Sequence, residues 1–337
     1  MLLNLSIIIS VQSLISLACL VIVFVIKTLI NLSHGVCRSN TCLVGKTVLI
    51  TGGNAGIGYE TVLGLASRGC RIIIASRNNT QKLADNITRY TNNGNVVLKY
   101  LDYSSLDSVR RFAQELMEEE KKLDIFINNS GILSSNGNIF TKDGLQLVMQ
   151  INYFGPFLLL HLLTDLLKKS GSARVVLVSS IAAYFSTMDM EDLNNPYRTS
   201  TFKRSTLKEY IVYYNSKACI TMASTEFARR WKRFGISVNS LHPGGTNTGI
   251  YDNWLQSKFF KGIFKLISLF ILKSNHQAAQ TTLHLATSYK LRNTTGEYFM
   301  DCKSYPIPPL FWSKKFRDKI WLETERLVKL RSDERLD

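Results

Sequence analysis

The chain has 337 residues, of which 45% are hydrophobic, and a formal net charge of +16. With about 40 N-terminal residues set aside, this length suits one large α/β domain with a full core. The charge comes without a nucleic-acid recognition motif, so it favours an anionic membrane surface or a phosphate-rich cofactor. The cysteines lack CxxC spacing and the histidines do not cluster, which argues against a metal site or a disulfide framework and favours a reducing compartment.

The first apolar run, Met1–Ile26, contains no charged side chain and is long enough to cross a bilayer core of about 30 Å. A cleaved signal peptide is the alternative, but no Lys or Arg precedes the run and the run is long. The basic residues that follow it are Lys27, Arg38 and Lys46. Positive charge on that side predicts a cytosolic catalytic domain. The sequence therefore predicts a single-pass anchor over residues 1–30, with the endoplasmic reticulum as the expected membrane, and a tether over 31–43.

From residue 44 to 337, short apolar runs alternate with longer amphipathic ones. The runs predicted as strands are Lys46–Thr51, Arg71–Ser76, Val96–Leu101, Leu123–Asn128, Arg174–Ser180, Ile236–Leu241 and the short Glu297–Met300. The runs predicted as helices are Ile57–Ser67, Ser105–Lys122, Asp143–Lys169, Tyr213–Phe234 and a C-terminal helix within 311–330. Strands buried on both faces and alternating with helices are typical of a parallel doubly wound sheet. The predicted fold is therefore a single Rossmann-type α/β domain with helices on both faces of the sheet.

A glycine-rich turn joins the first predicted strand to the first predicted helix. Its glycines allow the backbone to turn sharply and to approach a pyrophosphate, and the helix N-terminus offers N–H groups to the anion. An ordinary turn is the alternative, but the placement between a strand and an amphipathic helix favours a dinucleotide site. The predicted cofactor contacts in this turn are Gly52, Asn54, Gly56, Ile57 and Gly58.

The end of the second predicted strand distinguishes NAD from NADP. An NAD site has Asp or Glu there to bind the ribose 2′-hydroxyl. This chain has Ser76 and Arg77 instead. A guanidinium can pair with a 2′-phosphate in a forked geometry, so NADP(H) is favoured. A solvated surface arginine is the alternative.

Tyr213 and Lys217 are four residues apart and so share one face of a predicted helix. An ammonium beside a phenol favours phenolate and lowers the tyrosine pKa, which makes the pair a candidate acid–base couple near neutral pH. Tyr214 is the rival tyrosine, but on a helix it points about 100° away from Tyr213. A surface pair that only stabilises the helix is the structural alternative, and the glycine turn argues against it.

Several motifs occur in the order and approximate spacing of the short-chain dehydrogenase/reductases, which the chain resembles over about residues 44–303. These motifs are Thr51-Gly-x-x-x-Gly-x-Gly58, Asn128-Asn-Ser-Gly131, Asn152, Ser180, Tyr213-x-x-x-Lys217 and Pro243-Gly244. Further segments resemble the membrane-anchored retinol dehydrogenase branch. They are Asp192-Leu-Asn194, Ala279-Gln280-Thr281 and the run Gly296–Lys303.

The resemblance implies hydride transfer between a nicotinamide cofactor and the carbon of an alcohol or carbonyl. Ser180 would donate a hydrogen bond to the substrate oxygen. Tyr213 would transfer the proton, and Lys217 would lower its pKa and bind the nicotinamide ribose. Asn152 would hold a water in a proton relay. Ser179 is the rival serine, but Ser-Ile-Ala-Ala, which begins at Ser180, matches the pattern of the family.

The remaining cofactor contacts are also implied by the resemblance. Asp102 would contact the adenine, and Asn128 would line the cofactor cleft beneath the nucleotide. Thr248 would contact the nicotinamide end. The implied set is completed by Gly131, Pro243 and Gly244.

The region that would shape the substrate site has two unusual features. Residues 254–275 occupy the place of the family's substrate lid, and their lysines fall on one stripe of a bulky apolar helix, at Lys258, Lys261 and Lys265. We expect this helix either to lie in a membrane interface or to pack on the core. Pro156 is expected to kink the long helix over 143–169.

The sequence thus predicts a membrane-anchored, NADP(H)-dependent oxidoreductase that interconverts a lipophilic alcohol and its aldehyde or ketone, most simply retinol and retinal. Steroid, polyprenoid and lipid-derived carbonyls are the alternative substrates. A catalytically silent, nucleotide-binding membrane scaffold is a second hypothesis. A scaffold would be expected to lack the serine, tyrosine or lysine, and all three are present. A homodimer is compatible with the sequence, and no nucleic-acid partner is expected.

Overall fold

The computed structural model of the chain describes residues 21, 25, 28, 34–133, 137–188, 192–195, 205–246, 272–307, 311 and 313–336. Most of the predicted anchor and most of the predicted lid lie outside these residues, as does Thr248. Within the part of the chain that is described, no helix combines the length and the apolar character needed to cross a membrane.

Eight strands form one sheet in the described residues, in the order β3-β2-β1-β4-β5-β6-β7-β8. They are β1 Thr47–Thr51, β2 Arg71–Ser76, β3 Val96–Tyr100, β4 Ile125–Asn128, β5 Arg174–Val178, β6 Ser237–His242, β7 Tyr298–Met300 and β8 Lys303–Tyr305. All neighbouring strands are parallel except β8, which returns antiparallel to β7. The predicted parallel sheet is confirmed, and its strand order reverses between β1 and β4, the position where such sheets bind ligands.

Helices cover both faces of the sheet. They are α1 Gly56–Ala66, α2 Gln81–Thr91, α3 Leu106–Glu119, α4 Leu147–Met149, α5 Gly155–Leu162, α6 Thr164–Lys168, α7 Ser205–Trp231, α8 Asn275–Thr287 and α9 Lys314–Leu327. Alternate residues of β1 enter different cores: Leu49 packs with α3, α5, α7 and α9, whereas Val48 and Ile50 pack with α1, α2 and α8. This alternation with burial on both sides explains why β1 is continuously apolar.

The region predicted as one long helix over 143–169 is interrupted, so that prediction is wrong in detail. The helical turns begin at Leu147, where the side chain of Gln146 caps the Met149 N–H at 2.9 Å. Residues Gln150–Phe154 then form a π-turn, in which the Gly155 N–H bonds to the Gln150 carbonyl. Pro156 follows directly and has no N–H to continue an α-helical ladder. The expected kink at Pro156 therefore takes the form of a π-turn that precedes it.

One helix boundary needs correction, and the predicted tether makes contacts that the sequence does not show. Helix α7 begins at Ser205 rather than at Tyr213, which places the tyrosine more than two turns inside a 27-residue helix. The eight residues before Tyr213 contain neither Pro nor Gly to stop a helix. The described part of the predicted tether does not stand clear of the domain: the Cys37 N–H bonds to Gln280 at 3.1 Å, and the Ser39 hydroxyl donates to the Thr287 carbonyl at 3.0 Å.

Candidate active site

Two adjoining cavities lie at the carboxyl ends of the parallel strands. The first, of about 530 Å³, is lined by the glycine turn together with Arg77 and Asp102, and we call it the glycine-turn cavity. The second, of about 470 Å³, is lined by residues that include Tyr213 and Lys217, and we call it the tyrosine cavity. The two share Ile57, Asn129 and Gly131 as lining residues, so they form one continuous cleft.

The glycine turn has the backbone that the sequence predicts. Gly52 and Gly56 adopt positive φ angles of 66° and 57°, a region that side chains disfavour. A Cβ on Gly58 would overlap the carbonyl oxygen of Gly52, so the first turn of α1 packs tightly on the loop. Ala55 precedes α1 and provides no side-chain cap. The first N–H groups of α1 are therefore suited to an anion such as a pyrophosphate.

Ser76 and Arg77 differ in what they offer to the glycine-turn cavity. The Ser76 hydroxyl donates to Asn79 at 2.7 Å, and the Asn79 amide donates to the Lys99 carbonyl at 2.7 Å. Ser76 therefore stabilises the loop after β2. Arg77 is exposed, lines the cavity and forms no ion pair within the described residues. Its guanidinium is the group at this end of the cleft that suits a phosphate monoester.

Asp102 lines the glycine-turn cavity together with Arg77. Its carboxylate accepts from the N–H and the hydroxyl of Ser104 at 2.9 and 2.7 Å. These bonds orient Asp102 at the end of β3, where it lines the cavity. Its position fits the edge of a base rather than a phosphate, because a carboxylate would repel an anion.

The two candidate serines after β5 have different surroundings. Ser179 is buried, and its hydroxyl lies 2.9 Å from the Lys217 carbonyl and 2.7 Å from the Thr221 hydroxyl. Both serines line the tyrosine cavity, but Ser180 is less buried, and its oxygen accepts from the Ala182 N–H at 3.2 Å. That contact leaves the hydroxyl proton of Ser180 available to a ligand oxygen. The geometry therefore favours Ser180 over Ser179.

Helix α7 brings the tyrosine and the lysine into the same cavity. Lys217 is 4% exposed, and its ammonium donates to the Val178 carbonyl at 2.9 Å. The same nitrogen lies 5.7 Å from the centre of the Tyr213 ring. Burial lowers the pKa of Lys217 to about 8. Tyr214 also lines the cavity, but it packs against Phe185 with ring centres 6.3 Å apart.

The comparisons with known proteins agree with this geometry. The model of the short chain dehydrogenases matches residues 46–191. Human retinol dehydrogenase 13 is 36% identical over 304 residues, 88% of each chain, and human retinol dehydrogenase 12 is 36% identical over 299 residues, 88% of this chain and 90% of its own. This chain belongs to the short-chain dehydrogenase/reductase family. Within it, the chain is an alcohol dehydrogenase-type oxidoreductase of the retinol dehydrogenase branch, so the resemblance noted from the motifs is confirmed.

Solved structures share the fold of this dehydrogenase. RhlG of Pseudomonas aeruginosa, solved as a complex with NADP, is 26% identical with a TM-score of 0.59, over 77% of this chain and 95% of its own. A protein from Mycobacterium paratuberculosis is 25% identical with a TM-score of 0.65, over 86% of this chain and 96% of its own. The shared fold extends over most of the described domain.

Asn152 of this dehydrogenase does not line either cavity. Its side-chain oxygen accepts from the Ile132 N–H at 2.8 Å, and its amide donates to the Ile132 carbonyl at 2.8 Å and to Ser216 at 3.0 Å. The side chain thus ties the π-turn to the loop after β4 and to α7. The backbone carbonyl of Asn152 has no α-helical donor, because Pro156 has no N–H, so it can accept from a water.

Asn128 lies below the floor of the cleft, which corrects the expectation that it lines the cleft. It is 1% exposed, and its oxygen accepts from Thr51 at 3.1 Å and from Tyr103 at 3.0 Å. The next residue, Asn129, lines both cavities and donates to the carbonyls of Thr51 and Gly52 at 3.3 and 3.1 Å. Motif matching identified the doublet but did not show which asparagine faces the ligand.

The Pro243–Gly244 loop forms one wall of the tyrosine cavity. Gly244 has a φ of 100°, so the loop requires glycine there. His242 ends β6 and lines the same cavity, a position that the motifs alone did not predict. Burial, together with the charge of Lys273, lowers the pKa of His242 to about 4, so the imidazole is neutral at neutral pH. A histidine directly before the Pro-Gly turn was the available signal.

Proposed function

We propose that this dehydrogenase uses NADP(H) to interconvert a lipophilic primary or secondary alcohol and its carbonyl compound, with retinol and retinal as the first candidates. The observation that carries this proposal is the continuous cleft, which has Arg77 at one end and Ser180, Tyr213 and Lys217 at the other. Such a cleft suits a ligand that carries a phosphate group at one end and meets proton-transfer groups at the other.

The residues of the cleft fit a nicotinamide dinucleotide. The uncapped first turn of α1 suits the pyrophosphate, Asp102 suits the adenine edge, and Arg77 suits a 2′-phosphate. Buried Lys217 lies where the nicotinamide ribose would meet the tyrosine cavity. The cofactor supplies hydride chemistry, and the protein supplies binding and proton transfer. The absence of a carboxylate at the end of β2 is the reason to prefer NADP(H) to NAD(H).

The proton-transfer groups support a carbonyl reaction. Ser180 donates to the substrate oxygen and stabilises the charge that develops on it. Tyr213 gives its phenolic proton to that oxygen in reduction and takes a proton from it in oxidation. The ammonium of Lys217 favours the phenolate form of Tyr213. After reduction, the phenolate would regain its proton from that ammonium, and the neutral amine of Lys217 would take a proton from solvent through a water at the Asn152 carbonyl.

The remaining wall of the tyrosine cavity supports a lipophilic substrate. Its apolar members are Leu133, Ile181, Phe185, Tyr210 and Tyr214. Such a wall favours an extended hydrocarbon over a polar metabolite. The names of the similar human proteins, retinol dehydrogenases 12 and 13, point to the same class.

The test is a substrate panel with the full-length protein in detergent. Retinal, decanal and a steroid ketone are each supplied with NADPH and, separately, with NADH. The proposal predicts reduction of at least retinal, with NADPH preferred. Binding of NADPH without turnover of any carbonyl would favour a silent scaffold, and a preference for NADH would contradict the assignment of Arg77.

We also propose that the N-terminal run anchors the enzyme in a membrane with its catalytic domain in the cytosol. The support is the uncharged run Met1–Ile26 and the positive charge that follows it. Alkaline carbonate extraction of membranes tests this proposal. The full chain should stay in the pellet, and a variant that lacks residues 1–30 should be released. Release of the full chain would contradict the anchor.

A further inference from the structure

Asp301, which directly follows β7, joins three separate segments of the chain. Its carboxylate accepts from the Gly35 N–H at 3.1 Å and from the ammonium of Lys273. Asp301 and Cys302 both adopt positive φ angles, 48° and 59°, so the turn before β8 holds an uncommon backbone shape. Burial by itself raises the pKa of Asp301. The hydrogen bonds from Lys273 and Gly35 have the larger combined effect, so the pKa is lowered and the carboxylate stays ionised.

Lys273 connects Asp301 to the wall of the tyrosine cavity. The side chain is 8% exposed, and its ammonium lies 3.4 Å from the Pro243 carbonyl. Its backbone N–H donates to the Gly245 carbonyl at 2.8 Å. Its side-chain carbons fill the space that a Cβ on Gly244 would need. The lysine therefore packs directly behind the Pro243–Gly244 loop and holds it with both backbone and side-chain contacts.

Gly35 brings the N-terminal segment to the same point. A Cβ on Gly35 would overlap the carbonyl group of Asp301, so the two backbones are in direct contact and only glycine fits. Beyond Gly35, the segment is held against α8 by the bonds of Cys37 and Ser39. The residues that lead from the predicted anchor thus reach the back of the active site before they reach β1.

We propose that Gly35, Asp301 and Lys273 are positioning residues that hold the Pro243–Gly244 loop against the nicotinamide half of the cofactor. The inference rests on the proposed function for the presence of that cofactor. The loop lines the tyrosine cavity, together with Ser180, Tyr213 and Lys217. The adenine end of the cleft lies in the glycine-turn cavity, which the loop does not line. Loss of the contacts among Gly35, Asp301 and Lys273 therefore weakens the contacts of the protein with the nicotinamide half of the cofactor. It spares the contacts of the protein with the adenosine half.

The test compares two ligands. NADPH spans the whole cleft, whereas adenosine 2′,5′-bisphosphate occupies only the end near Arg77. Dissociation constants are measured for both, by nicotinamide fluorescence and by calorimetry. We expect Gly35→Ala and Lys273→Met to raise the dissociation constant of NADPH by about tenfold and to change that of the bisphosphate by less than about twofold. A tenfold effect is typical of coupling between two separate sites. Lys273→Arg, which keeps the ion pair, should restore most of the NADPH affinity.

The matched control is Ser39→Ala, which removes a bond of the N-terminal segment to Thr287 without contact with Asp301. It should leave both ligands unchanged. If Gly35→Ala does not fold, the isosteric Asp301→Asn replaces it with the same expectation. Unchanged NADPH binding in the Lys273→Met and Asp301→Asn variants, or equal losses for both ligands, would overturn the inference. A wild-type protein that binds neither NADPH nor NADH would instead overturn the proposed function.

Discussion

The ammonium of Lys217 lies 5.7 Å from the centre of the Tyr213 ring and 2.9 Å from the carbonyl oxygen of Val178. The lysine is almost completely buried, and burial lowers its pKa to about 8. A buried cation with one carbonyl partner destabilises a fold, because little replaces its lost hydration. Its presence beside a tyrosine at the cleft supports the proposal that this lysine takes part in the reaction.

The first prediction concerns the stability of Lys217→Met. Below pH 8 the folded protein carries a desolvated ammonium, which costs about 3 kcal/mol for a pKa lowered from 10.5 to about 8. The methionine variant avoids this cost but leaves the Val178 carbonyl without its donor, a loss of about 1 kcal/mol. We expect the variant to be more stable at pH 7 by about 2 kcal/mol in urea unfolding.

The pH dependence of this difference has a definite sign. Between pH 8 and 10.5 the folded lysine is neutral while the unfolded lysine is still protonated, so the wild type gains stability as the pH rises. The advantage of Lys217→Met should therefore shrink from pH 7 to pH 9.5. An advantage that grows with pH would contradict the burial of a charged lysine.

The second prediction concerns Arg77. Replacement by Ala removes a charge-assisted contact with a 2′-phosphate, so kcat/KM with NADPH should fall by about 10- to 100-fold while the value with NADH changes little. Arg89 is an exposed arginine outside the cleft, and Arg89→Ala is the matched control. Steady-state kinetics with both cofactors check this. Equal losses with NADPH and NADH would show that Arg77 does not select the 2′-phosphate.

The third prediction separates the two serines. Ser180→Ala removes a donor to the substrate oxygen, and kcat should fall by about 10²- to 10³-fold with unchanged NADPH binding. Ser179→Ala breaks bonds to Lys217 and Thr221 and should lower the free energy of unfolding by about 1–3 kcal/mol. Single-turnover kinetics and urea unfolding of both variants are the measurements. A reversed pattern would make Ser179 the catalytic serine.

The fourth prediction concerns the C-terminal helix α9. Trp321 packs on Phe157 and Phe227 with ring centres 4.8 and 4.7 Å apart, and its indole N–H donates to Glu325 at 2.6 Å. Trp321→Ala should lower the free energy of unfolding by about 3–5 kcal/mol and leave the NADPH dissociation constant of the folded protein unchanged. Leu322 is 63% exposed, and Leu322→Ala should change stability by less than about 0.5 kcal/mol. Similar losses in both variants would contradict the packing of α9.

The fold was largely predictable because its signals are local. Each buried strand is a short apolar run, and the glycine turn after β1 specifies its own shape. Helix α2 was missed although Leu83 and Ile87, four residues apart, share the face that packs on the core. Helix α8 was missed although Ser274 and Gln277 form a capping box, a signal that the sequence displays. Strand β8 has only three residues and no buried side chain.

The active-site residues that belong to sequence motifs could be predicted, but their orientation in the cleft could not. Spacing along a helix placed Tyr213 and Lys217 together, but it could not show that Asn128 is buried and that Asn129 faces the cleft. The contact of Gly35 with Asp301 joins residues 266 positions apart. Such pairings depend on the topology of the whole sheet, which no local pattern records.

The most direct test of the central claim is single-turnover oxidation of NADPH by retinal in Tyr213→Phe and Tyr214→Phe. We expect Tyr213→Phe to bind NADPH as the wild type does and to lose turnover, because the Lys217 ammonium lies 5.7 Å from the centre of the Tyr213 ring. Tyr214→Phe should retain turnover, since the ring keeps its packing with Phe185. Turnover retained in Tyr213→Phe, or lost only in Tyr214→Phe, would contradict the account.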